Sequence, residues 1–132
     1  MTLTGIRMIS VELEATDLAS GANTVATLPA QTVILAAGVE VTEALAGATA
    51  LTFDIGTGAD DDEFVAAYAM AGKSAGDVAP SIPGIAYVGS EDTLDLKVDT
   101  LTGTATAGKL RVWAMVADVD GNGAAEVARD QV

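Results

Sequence analysis

Carboxylates are the residues best equipped for chemistry in this sequence, and they gather in two runs. Asp118, Asp120, Asn122 and Gly123 stand at relative positions 1, 3, 5 and 6 of a calcium loop. Hard cations take oxygen ligands, and alternate acidic positions closed by a glycine turn supply them. The match stops short of a full loop, because position 12, which needs a bidentate carboxylate, is Arg129, while Glu126 falls at position 9. Asp-Gly and Asn-Gly also make tight turns, since both tolerate positive φ. The expectation is therefore a turn without a cofactor, with calcium on Asp118, Asp120 and Asn122 as the alternative.

The second run is Asp60, Asp61, Asp62 and Glu63. Four adjacent carboxylates can collect a cation, but such runs are more often solvated loop tips, and that is the reading adopted. Other chemistries are excluded by composition. With no Cys and no His there is no thiol nucleophile, no imidazole base, no disulfide and no ordinary zinc set. Carboxylate-only glycosidases remain conceivable, but they rarely fit so short a chain, and 4% aromatics supplies little to line a sugar site. No enzyme is expected.

A third set of residues is suited to contact. In 109–117, KLRVWAMVA, alternation puts Leu110, Val112, Ala114 and Val116 on one face. Lys109, Arg111, Trp113 and Met115 fall on the other. Trp, Arg and Met are enriched in interface cores, although Trp113 would equally serve to cover the end of a small core. Candidate contacts are this face, the N-terminal residues Ile6, Arg7 and Met8, and the loop from Asp60 to Phe64.

The elements that carry these residues follow a period of two. Ile9, Val11 and Leu13 alternate with polar residues, as do Leu51, Phe53 and Ile55, and Leu94, Leu96 and Val98. Further strands are expected at 24–28, 32–43 and 109–118, and shorter ones near 63–69 and 85–88. A single helical turn is the rival within the Ala-rich stretch 63–72. Turn clusters at 19–23, 57–62, 71–77 and 120–123 separate the strands. Many short strands between glycine turns predict an all-β chain, a single-domain antiparallel β-sandwich of jelly-roll type over 1–132. Residues 1–8 would be an extended N-terminal segment and 121–132 a tail.

The 132 residues carry 19 acids against 6 bases, a net charge of −13. That balance repels both phosphate backbones and anionic membranes, so neither nucleic acid nor membrane is an expected partner. The longest apolar run, VILAAGV at 33–39, is too short to span a bilayer, and no secretory signal is expected.

The order of the segments resembles a known group. LPAQTVILAAGVEVTEAL (28–45), ATALTFDIGTGADDDEFVAA (48–67), AGKSAG (71–76), GIAYVGSEDTLDLKVD (84–99) and TATAGKLRVWAMVADVD (104–120) are similar to the small β-structured virion proteins encoded in head-gene regions of tailed bacteriophages. Members of that group often show an LPAG-hydrophobic strand, an acidic loop ending in an aromatic residue, and a terminal TAGxVRV strand, to which LPAQTVIL, GADDDEF and TAGKLRV loosely correspond here. Gln31 departs from the pattern by replacing its glycine. The resemblance implies a head decoration, or cement, protein on the outer surface of the virion head, made in the bacterial cytoplasm. Its partner would be the major capsid protein, and it would form a homo-oligomer, a trimer by analogy. The alternatives are a tail or fibre component and a calcium-stabilised module that binds carbohydrate or a cell surface.

Overall fold

The computed structural model describes residues 3–119. Eight strands follow in order: β1 (Leu3–Glu14), β2 (Gly21–Leu28), β3 (Thr32–Ala46), β4 (Ala50–Thr57), β5 (Val65–Ala69), β6 (Ala86–Val88), β7 (Asp92–Thr102) and β8 (Ala107–Val119). They form two four-stranded sheets, ordered β1-β8-β3-β6 and β2-β7-β4-β5, with every pairing antiparallel. First strand pairs with last, second with seventh, third with sixth and fourth with fifth. That nested pairing is the eight-stranded jelly roll, an antiparallel β-sandwich whose paired strands are rolled into two layers.

Alternation explains the layers. In β8, Leu110, Val112, Ala114 and Val116 are all fully buried, and in β7 Leu94, Leu96 and Val98 are buried likewise. Phe53 and Ile55 of β4, and Ile34, Val39 and Val41 of β3, complete an aliphatic core in which aromatic residues are few. Phe53 meets Tyr68 edge to face at 5.6 Å between ring centroids, the geometry that the ring quadrupoles favour.

The Ala-rich stretch 63–72 is a strand and a turn, not a helical turn. The Phe64 amide donates to the Ile55 carbonyl and that of Met70 to Leu51, which ties both ends of β5 to β4. Between them Ala67 has a positive φ of 51°, so two exposed alanines separate the buried Val65 from the buried Tyr68. The one helical turn among the described residues is a short 3₁₀ segment at Ala15–Asp17, where β1 hands over towards β2. Residues 3–8 are the first half of β1, with a bulge between Thr4 and Arg7. The tail at 121–132 lies outside the described residues.

Candidate interaction surface

The strand face singled out around Trp113 points away from the core. β8 lies inside its sheet, flanked by β1 and β3. Register places Met8 beside Met115, Ser10 beside Trp113, Glu12 beside Arg111 and Glu14 beside Lys109. On the other flank Ala36, Gly38, Glu40 and Glu43 stand beside the same four β8 residues.

The face therefore divides into two halves. At the Lys109 end glutamates from both flanking strands surround the bases, and the Arg111 guanidinium lies 3.8 Å from the Glu12 carboxylate. At the Met115 end the surface is apolar. Ile6 is 63% exposed, Met8 56%, Tyr87 54% and Met115 38%. Tyr87 joins them through Val33, which pairs with Tyr87 on one side and Ala117 on the other. A shallow cleft lined by Leu35, Ala36, Ile82 and Pro83 adjoins this half.

Trp113 sits between the halves and is partly covered. A Cβ built on Gly38 would lie 2.7 Å from Trp113 Cζ2 and 2.7 Å from Ser81 Oγ. The indole thus lies across a glycine, under the segment that carries Ser81. Sequence reading found this strand face but missed Tyr87, because only the sheet order brings β6 beside β3.

Arg7 is engaged elsewhere: its Nη1 lies 3.0 Å from Asp118 Oδ1. Asp118, the first residue of the calcium-like run, is a β8 residue paired with that guanidinium, while Asp120 and Asn122 lie outside the described residues. Phe64 is corrected: it is 1% exposed and packs in the core, so its ring is not an accessible contact. Phe64 and Val65 are adjacent and both buried, so strict alternation breaks at the start of β5, and burial of an aromatic side chain outweighs its place beside an acidic loop.

Asp60 belongs to the other sheet. The loop from Gly58 to Glu63 folds back over the outer face of β4, where a Cβ on Gly56 would strike the backbone of Asp60 and Asp61. The Thr57 amide donates to the Asp60 carbonyl at 2.9 Å, and the Asp60 amide to Thr57 Oγ1 at 3.2 Å. The carboxylates of Asp60, Asp61 and Asp62 lie within 4.8 Å of one another. Lys97 Nζ reaches Asp61 Oδ2 at 3.0 Å and Asp99 Oδ1 at 3.6 Å.

Crowding of like charge shows in the titration of this region. Asp62 is raised above the usual aspartate value, first by a side-chain hydrogen bond with Asp60 and then by desolvation and the neighbouring charges. Glu63 is raised by desolvation first and by Asp60 next. Asp54, buried on the adjacent strand face, is raised chiefly by burial, partly offset by the Ala67 amide that donates to Asp54 Oδ1 at 2.6 Å. Lys97 is raised, first by its hydrogen bond to Asp61.

The nested β-pairings and the layered core define a jelly-roll sandwich, and known structures share that architecture. A chain in the structure described as the capsid asymmetric unit of cyanophage Pam1 matches with a TM-score of 0.65 and 21% identity. The match covers 86% of this chain and 85% of that one. A chain in the acidic stable capsid structure of Helicobacter pylori bacteriophage KHP30 matches with a TM-score of 0.57 and 12% identity, covering 90% and 96%. At these identities the likeness is one of fold. No protein-family model matches the sequence, and no curated protein does.

Proposed function

We propose that this chain is a structural, non-enzymatic virion protein of a tailed bacteriophage that decorates the outer surface of the head. It would join neighbouring major capsid subunits. The observation that carries the proposal is end-to-end similarity of fold to chains from two phage capsid structures, 86% and 90% of this chain being covered. The contact surface in this reading is the apolar half of the outer face around Ile6, Met8, Met115 and Tyr87. Exposed apolar side chains clustered on one sheet support that reading, because apolar patches of this kind commonly serve as contact surfaces. Weak contacts repeated over a capsid lattice add through multivalency, and self-association into a homo-oligomer, a trimer by analogy, belongs to the same proposal.

The test is a binding assay of purified protein on capsids that lack it. The wild-type chain should co-sediment with the shells. The double variant Met8→Lys, Met115→Lys should keep its circular dichroism and melting temperature yet bind at least tenfold more weakly. Cryo-EM of intact virions then locates the protein, and its absence from the head shell would overturn the reading.

A further inference from the structure

Among the described residues, the Asp95 Oδ1 of β7 is buried with no hydrogen-bond partner. Leu94 and Leu96 point into the core, so Asp95 points outward from β7. It pairs in register with Gly56 of β4, and residues paired across an antiparallel ladder share a face. The space a Gly56 side chain would take on that face is filled by the Asp60–Asp61 backbone. The Asp95 carboxylate is thus aimed at the underside of the loop that holds the three clustered aspartates. It is only 6% exposed, and its Oδ1 is buried without a hydrogen bond.

A buried carboxylate oxygen without a donor is costly, and more so beside other carboxylates. Lys97 is the base that serves this region, and its ammonium is directed to Asp61 and Asp99 rather than Asp95. A metal ion would meet the charge of the cluster and of the residue beneath it together. The donors are all oxygens, which selects a hard cation. Three consecutive residues of a loop offer irregular rather than octahedral geometry, which suits calcium better than magnesium.

We propose that the β4–β5 loop is a calcium site, in which Asp60, Asp61 and Asp62 ligate the ion and Asp95 supports the site from beneath through a coordinated water. This site is separate from the calcium-like run at 118–123, and it does not depend on the capsid reading.

The experiment uses the free chain, with calcium as the probe in calorimetric titration and thermal melts. Calcium at 1–5 mM, roughly the range of extracellular sites, should raise the melting temperature above an EGTA control matched in ionic strength with NaCl. Asp95→Asn should bind at least tenfold more weakly. The double variant Asp60→Asn, Asp62→Asn alters exposed residues, so it stays folded and should lose binding even if Asp95→Asn is unstable. Lys97→Met removes a competing cation and should bind calcium more tightly than wild type, an outcome that damage to the fold would not produce. The proposal is overturned if calcium gives no more stabilisation than matched NaCl. It is overturned equally if magnesium does as well as calcium, or if the folded aspartate variants bind like wild type.

Discussion

Gln31 holds a φ of 64°, in the left-handed region where glycine is at ease. Its amide donates to the Val88 carbonyl at 2.6 Å and its carbonyl accepts from Val119 at 2.7 Å, so the conformation is locked between β6 and β8. An L side chain there costs about 1–2 kcal/mol, and glycine's greater freedom in the unfolded chain costs about 0.5–1 kcal/mol. Gln31→Gly should therefore stabilise the protein by roughly 0.5–1 kcal/mol, measured as a higher urea midpoint. Asp54 yields a prediction of opposite origin. Its native pKa is raised above the ordinary 3.8, so the folded chain holds this proton more tightly than the unfolded one. The stability it contributes is greatest at low pH and declines as pH rises through its native pKa. Asp54→Asn keeps an oxygen for the Ala67 amide and loses the charge. It should raise the melting temperature more at pH 7 than at pH 4.

Each long strand turns one face into the core and the other outward. Phe53 is fully buried, whereas Met115 lies on the outer face. Phe53→Ala should cost about 3–5 kcal/mol through lost burial and a cavity. Met115→Ala should change stability by less than about 0.5 kcal/mol, as surface positions do. Denaturant titration of the two variants checks this contrast. The edges differ as strongly as the faces. β5 and β6 close one side of the sandwich with five and three residues, while β1 borders its sheet with 12. A long edge invites pairing with other chains, and the bulge near Gly5, together with the Arg7–Asp118 ion pair, interrupts its regularity.

At the scale of the molecule, almost every pairing joins strands distant in sequence, and β1 meets β8 only after nearly the whole chain has been made. Closing such loops before contacts form is slow, so refolding on the order of milliseconds to seconds is expected in stopped-flow measurements. A net charge of −13 opposes compaction. Raising NaCl from about 10 mM to about 150 mM shortens the Debye length from roughly 30 to 8 Å. The melting temperature should rise across that range, with most of the gain at its low end, and a salt series followed by circular dichroism tests it.

The alternation of aliphatic and polar residues was enough to place the strands, because a two-residue period depends only on which face of each strand meets the core. It also put Leu110 and Trp113 on opposite faces of β8, and the absence of Cys and His removed whole classes of chemistry. Which strands lie side by side was decided by tertiary structure, since ladder hydrogen bonds are made by backbone groups that every residue but proline carries alike. That order brought Tyr87 towards Met115, drew the Phe64 ring into the core, and laid the Asp60–Asp61 backbone over Gly56 beside Asp95. Pairings such as Met8 with Met115 and Gly56 with Asp95 join residues far apart in the chain and have no local period to announce them, and both the apolar surface and the acidic cluster with the residue beneath it depend on such pairings.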